Sequence, residues 1–104
     1  MYDDSKQIET KEQYCFIVDE TIGMLENMRQ YSAAYEEIYD QLVDLKKNVI
    51  EEQTLVEPDD IDDRYSFGGI AVKSFKEGDE IRELLCDILW GALHFQELND
   101  ENSD

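Results

Sequence analysis

Carboxylate side chains are the most abundant groups in this chain that could do chemistry. Its 104 residues include 27 Asp and Glu against nine Lys and Arg, a formal net charge of −18. The acids are densest in residues 57–63, where five of the seven residues are acidic. A calcium-binding loop starting at Asp60 would need an acid or Asn at its fifth position and Gly at its sixth, where Arg64 and Tyr65 stand. The calcium motif therefore fails, and a weak cation site is the alternative that this run leaves open.

Residues that could catalyse a reaction are few. His94 is the only histidine, and the chain lacks the paired Glu-x-x-His repeats of a helical two-metal site. No Ser or Cys stands in a recognisable nucleophile turn. Cys15 and Cys86 are far apart without Cys-x-x-Cys spacing, which favours small buried helix residues over a disulfide or a reactive thiol. We therefore expect a protein that is not an enzyme and that holds no cofactor or metal.

Tyrosines interleaved with acids are better suited to binding a partner. A tyrosine beside carboxylates offers hydrogen bonds, ion pairs and cation–π contacts to Lys and Arg. Three tyrosines at i, i+4 and i+8 fall on nearly one line of a helix: Tyr31, Tyr35 and Tyr39. Core packing is the favoured interpretation for Tyr31 and Tyr35. The first candidate binding site joins the acidic run to the tyrosine that follows it: Asp59, Asp60, Asp62, Asp63 and Tyr65. The second candidate lies on the helix: Glu36, Tyr39 and Asp40.

The charge also narrows the class of partner. Because the acids are spread along the chain, the whole folded body must be acidic. Such a surface repels nucleic acids and anionic membranes and steers basic proteins toward itself. We therefore expect a basic protein as partner, with neither nucleic acid nor membrane bound directly; the oligomeric state stays open.

Three segments have apolar residues at helical spacing and predict the main helices, near residues 10–29, 32–52 and 79–98. Thr10 opens a capping box, and Ser32 and Asp79 are good N-cap residues. Gly23 inside the first helix suggests that another helix approaches closely there. The last helix is the most apolar, so Leu85 should lie in the centre of the core.

The segment between Pro58 and Lys76 predicts one further short element, a loop or a single helical turn, and residues 70–76 could be strand or helix. The predicted fold is all-α: a small helical bundle of three main helices plus one short helix or loop element. We expect residues 1–104 to form a single acidic domain with frayed ends at 1–8 and 99–104.

Localisation can be predicted only from what the chain lacks. It has no apolar run near 18 residues, and its first residues are acidic. A membrane span and a secretory signal are therefore not expected, and the cytoplasm is the expected location.

Acids mixed with tyrosines, as in residues 32–40 and 59–65, give the chain a resemblance to the small acidic immunity proteins of bacterial contact-dependent growth inhibition systems. These proteins share no motif, so the resemblance assigns no site residue. It implies a non-enzymatic cytoplasmic inhibitor, made beside a nuclease toxin domain and binding it tightly enough to occlude its active site.

Two other classes of protein would use the same charge. A DNA-mimic inhibitor of phage or plasmid origin, such as an anti-restriction or anti-CRISPR factor, would present the acids as surrogate phosphates. An acidic chaperone or adaptor would hold a secreted basic protein.

Overall fold

The computed structural model describes residues 10–98, and helices account for 81% of them. The five α-helices are α1 (Lys11–Met28), α2 (Ala33–Leu45), α3 (Pro58–Arg64), α4 (Phe67–Ser74) and α5 (Glu80–Leu93). Short 3₁₀ turns follow α1 and α5 at Arg29–Tyr31 and Phe95–Glu97, and a π-helical turn, Lys46–Glu51, extends α2. No β-strand occurs in this part of the chain, so the all-α prediction is confirmed. The predicted frayed ends lie outside the described residues.

Helix α1 begins where the capping box predicts. The Gln13 amide donates to Thr10 Oγ1 at 3.0 Å, and the Thr10 amide donates to Gln13 Oε1 at 3.1 Å. Both backbone amides would otherwise lack acceptors, because the first turn of a helix has no intrahelical carbonyls for its amides. The buried face follows the helical repeat: Tyr14, Val18, Thr21 and Leu25.

Helix α2 starts at the predicted Ser32 cap, whose hydroxyl oxygen accepts from the Tyr35 amide at 3.2 Å. Its buried stripe continues through the π-helical turn to Val49. The chain then leaves the helix at Gln53, whose φ of 52° lies in the left-handed region. The Asn48 carbonyl accepts from the Thr54 and Leu55 amides at 2.8 and 3.1 Å, which holds this exit in place.

The segment after Pro58 forms two helices, α3 and α4, where the sequence predicted one short element. Pro58 occupies the first turn of α3, where its missing N–H costs nothing. Phe67 and Ala71 are buried at helical spacing, and Phe75 stacks on Tyr35 with ring centroids 5.4 Å apart. Residues 70–74 are therefore helical, which resolves the ambiguity between strand and helix.

Helix α5 packs between α1 and the pair α3 and α4, and Leu85 is fully buried as predicted. The Tyr14 hydroxyl donates to the Ile88 carbonyl at 2.7 Å. A Cβ on Gly91 would lie only 2.5 Å from the Tyr14 ring, so the close helix approach is at Gly91. The expectation for Gly23 was wrong, because no atom beyond the local backbone of α1 lies within 4 Å of a Cβ placed there.

The two cysteines differ in exposure. Cys15 is partly buried, whereas Cys86 is exposed, and both are free thiols. The prediction of two buried cysteines was therefore wrong for Cys86. Leu84 and Leu85 are buried on the core side of α5. Cys86 lies on a different side of the helix, because successive positions are rotated about the helix axis.

Within residues 10–98, no helix combines the length and the apolar character needed to cross a bilayer.

Candidate functional site

Helix α3 carries the first candidate site on its outer side. Ile61 is 1% exposed and Tyr65, one turn later, is 4% exposed, so this edge of the helix faces the core. Full burial of one such aliphatic side chain contributes about 1.5–3 kcal/mol. The remaining positions of α3 therefore turn outward, and its four aspartates are all exposed: Asp59, Asp60, Asp62 and Asp63.

The negative charge of these four aspartates is not neutralised by the surrounding residues. Among residues 10–98, no Lys, Arg or His forms an ion pair with any of them. Arg64, the only base in α3, is turned toward Asp44 of α2. The outer side of α3 is therefore a concentrated anionic surface, which we call the α3 acidic face.

Arg64 and Tyr65 fasten α3 to α2 through one carboxylate. Arg64 Nε and Nη2 donate to Asp44 Oδ2 and Oδ1 at 2.7 and 2.9 Å, a bidentate pair. The Tyr65 hydroxyl donates to Asp44 Oδ2 at 2.7 Å. Bidentate pairing fixes orientation as well as distance, so this cluster sets the angle at which α3 is presented. Tyr65 thus holds α3 in place from the core side rather than displaying its ring to a partner.

The electrostatics of this cluster follow from its hydrogen bonds. The Arg64 guanidinium, helped by the Tyr65 hydroxyl, lowers the pKa of Asp44 to about 2 against the opposing effect of desolvation. Burial, together with the bond to Asp44, raises the pKa of Tyr65 well above its usual range. Asp44 is therefore an anion and Tyr65 a neutral donor at any physiological pH.

A second link lies beside this cluster. Gln41 Oε1 accepts from the Ser66 amide at 2.8 Å, and Gln41 Nε2 donates to the Ser66 hydroxyl at 3.0 Å. A shallow open groove of about 340 Å³ runs along the junction of α2 and α3. Its walls are Glu37, Asp40, Gln41, Asp44, Arg64 and Tyr65. The groove extends the acidic character of this side of the molecule from α3 onto α2.

The second candidate site is only partly available. Arg29 lies over the Tyr39 ring, 4.5 Å from its centroid, and its guanidinium approaches Glu36 at 3.9 Å. Tyr39 and Glu36 are therefore engaged within the chain, whereas Asp40 lines the groove described above. The favoured core role of Tyr31 was wrong, since this side chain is 72% exposed.

Side chains that could hold a metal ion do not converge in the described part of the chain. No three His, Cys, Asp or Glu side chains of residues 10–98 are grouped so that they could hold a metal ion. His94 closes α5, where its Nδ1 lies 2.8 Å from the Trp90 carbonyl oxygen. The same carbonyl also accepts from the His94 amide at 3.2 Å, so the only histidine has a structural role at the end of α5.

Sequence reasoning missed the residues that hold α3, Asp44 and Gln41. Both lie on α2, Gln41 directly before the apolar Leu42 and Asp44 directly before the apolar Leu45. This spacing could have placed them beside the core edge of the helix. Their partners, 20 to 25 residues further along the chain, have no signal in a single sequence.

Neither a protein-family model, nor a curated protein, nor a solved structure matches this chain.

Proposed function

We propose that this protein is an immunity-type inhibitor that binds a basic nuclease toxin domain in the cytoplasm and neutralises it by covering its active site. The α3 acidic face is the observation that supports this function: four exposed aspartates without a cationic partner among the described residues, on a helix of fixed orientation. It matches the surface of a nuclease, which must be basic to hold phosphates.

The net charge of −18 supports fast recognition. A surface potential of one sign raises the rate of encounter with an oppositely charged protein by about 10–10³-fold. This effect acts before contact and weakens as salt screens the charges. Association of the inhibitor with its toxin should therefore be rapid and salt-sensitive.

The attachment of α3 supports tight binding. A helix that is held by Ile61 and by the Asp44 cluster does not need to be ordered when the partner arrives, which lowers the entropic cost of binding. The aspartates would pair with Lys and Arg side chains that otherwise hold phosphates. The toxin is then blocked stoichiometrically, without chemical modification.

The proposed function predicts that a neighbouring gene encodes the toxin domain. The test expresses that domain in a bacterial host with and without the inhibitor. The variant Asp60→Lys/Asp63→Lys should slow association of the purified pair by at least about 10-fold and weaken protection of the host. The control Glu20→Lys/Glu26→Lys makes the same change in net charge on exposed positions of α1. It should have the smaller effect on both measurements.

Equal losses in the two variants would mean that only overall charge matters. Full protection of the host by the α3 variant and by Tyr39→Ala/Asp40→Lys would reject the α3 and α2 surfaces as binding sites. A toxin that remains active in the presence of equimolar parent protein would reject the proposed function.

A further inference from the structure

Trp90 is the chain's only tryptophan, and it is 48% exposed on the outer side of α5. Large aromatic side chains on a surface are frequent anchors of protein interfaces because they bury much area with few degrees of freedom. The apolar face of α5 is used up in the core by other residues, so packing of α5 does not require Trp90. Its exposure therefore calls for a different role.

The indole is held in a fixed orientation by His94. The two rings are stacked, with centroids 4.3 Å apart and planes inclined by 23°. The His94 ring is itself tethered, because Nδ1 lies 2.8 Å from the Trp90 carbonyl oxygen and must carry the hydrogen that this acceptor receives. One face of the indole is thus covered by His94, and 48% of the side chain remains exposed for contact with a partner.

Acidic residues lie on both sides of this ring pair in the chain. Glu83 and Asp87 precede Trp90 on α5 at intervals of four and three residues, so these three positions share one side of the helix. Glu97 follows in the 3₁₀ turn after His94 and is exposed. One oxygen of Asp87 is buried, so Glu83 and Glu97 are the carboxylates that a partner can reach beside the aromatic pair, an arrangement that suits a cation.

We propose that the Trp90–His94 pair is a second docking point of the inhibitor and that it takes an arginine side chain of the basic partner; this inference rests on the proposed function. The planar guanidinium stacks on the exposed part of the indole while the neighbouring carboxylates compensate its charge. Arginine is favoured over lysine because its planar, weakly hydrated cation stacks on aromatic rings.

The charge of the chain decides against the other occupants of this surface. A second copy would bring another −18 charge toward the same region, and nucleic acids and anionic membranes are repelled in the same way. A basic protein is the occupant that the electrostatics favour.

The experiment compares octa-arginine and octa-lysine peptides binding to the intact protein, measured by calorimetry and by the fluorescence of Trp90. Both peptides should bind through general attraction, but octa-arginine should bind about 2- to 5-fold more tightly and shift the fluorescence. Trp90→Ala should remove this preference for arginine while it leaves the affinity for octa-lysine unchanged. Trp90→Phe, which keeps an aromatic ring, should retain part of it and covers the case in which Trp90→Ala does not fold.

Two controls separate the aromatic contact from charge and from exposure alone. Phe16→Ala removes a ring that is 65% exposed on α1 and should leave the arginine preference intact. Asp60→Asn/Asp63→Asn should weaken both peptides equally. An unchanged preference for arginine in the folded Trp90 variants would overturn the proposal. Trp90 fluorescence that shifts with protein concentration alone would also overturn it, because it would show that a second copy of the protein covers the ring. Because no toxin is used, these outcomes are independent of the inhibition test.

Discussion

At the scale of single residues, Asp44 supports the proposed binding surface although no partner needs to touch it. Its carboxylate receives two hydrogen bonds from Arg64 and one from Tyr65. Loss of this one side chain would leave a guanidinium and a phenol without their acceptor at the base of α3. The anionic surface and its support are therefore separate sets of residues, which can be varied independently.

The first prediction concerns Asp44 and acid. Because the pKa of Asp44 is lowered to about 2 in the folded protein, the stabilisation is fully present above the unfolded pKa near 4 and is lost as the pH falls from about 4 to about 2. Asp44→Asn should be less stable than the parent by about 1–2 kcal/mol at pH 7, a value reduced for partial solvent exposure. The difference should shrink over that pH interval in urea titrations followed by circular dichroism.

Asp63→Asn is the matched control, since Asp63 is exposed and has no basic partner among the described residues. Its stability difference from the parent should not follow the same curve. A constant gap between the parent and Asp44→Asn from pH 7 to pH 2 would contradict the assigned role.

The second prediction compares two glycines inside helices. In Gly91→Ala the new methyl group would meet the Tyr14 ring, so overpacking should cost about 1–3 kcal/mol despite the better helix propensity of Ala. Gly23→Ala meets no neighbouring atom and should stabilise the protein by about 0.5–1 kcal/mol. Chemical denaturation of both variants checks the opposite signs. A stabilised Gly91→Ala would mean that Tyr14 can move aside freely.

At the scale of elements, the helices with strong local signals were predictable. Thr10, Ser32 and Asp79 cap α1, α2 and α5 where the sequence places them, because capping depends on residues within one turn. The division of the middle segment into α3 and α4 was not predictable. It depends on contacts of Tyr65 and Ser66 with α2, more than 20 positions away.

The third prediction concerns the exit from α2. Gln53 has a φ of 52°, a conformation that costs a residue with a side chain more than it costs glycine. Gln53→Gly should therefore raise the free energy of unfolding by about 0.5–1 kcal/mol, as measured by urea titration. Glu52→Gly, at a φ of −92°, should lower it instead. Equal destabilisation by both substitutions would show that the strain at Gln53 is negligible.

At the scale of the whole molecule, the net charge and the core residues of the long helices could be predicted from the sequence. The positions of the unpaired charges on the surface could not. Composition alone shows the excess of acids, and the apolar stripes predict the buried faces of the long helices. Which acids remain without a cation depends on where the few bases lie. Three bases pair with an acid that lies on another element: Arg29, Lys46 and Arg64. The residues next to each base in the sequence therefore gave no indication of the acid with which it pairs.

The fourth prediction concerns salt. A body with a radius of gyration of 13.1 Å and a net charge of −18 repels itself over distances shorter than the Debye length at low ionic strength. The Tm should rise by several degrees as NaCl increases from ~0.01 M to ~0.15 M. A variant with the four α3 aspartates changed to Asn should show a smaller rise. A Tm that does not change with NaCl would show that the acids are already well dispersed.

The hydrogen bond from Tyr14 to the Ile88 carbonyl joins positions 74 residues apart and closes the first long helix against the last. Ribosomes add about 5–20 residues per second, so roughly 4–15 s separate the synthesis of these two residues. Until α5 emerges, the nascent α1 lacks the surface on which Tyr14 packs. The native core is therefore completed only after α5 has been synthesised, and a chain released before α5 would leave the part of α1 around Tyr14 open to chaperones and proteases.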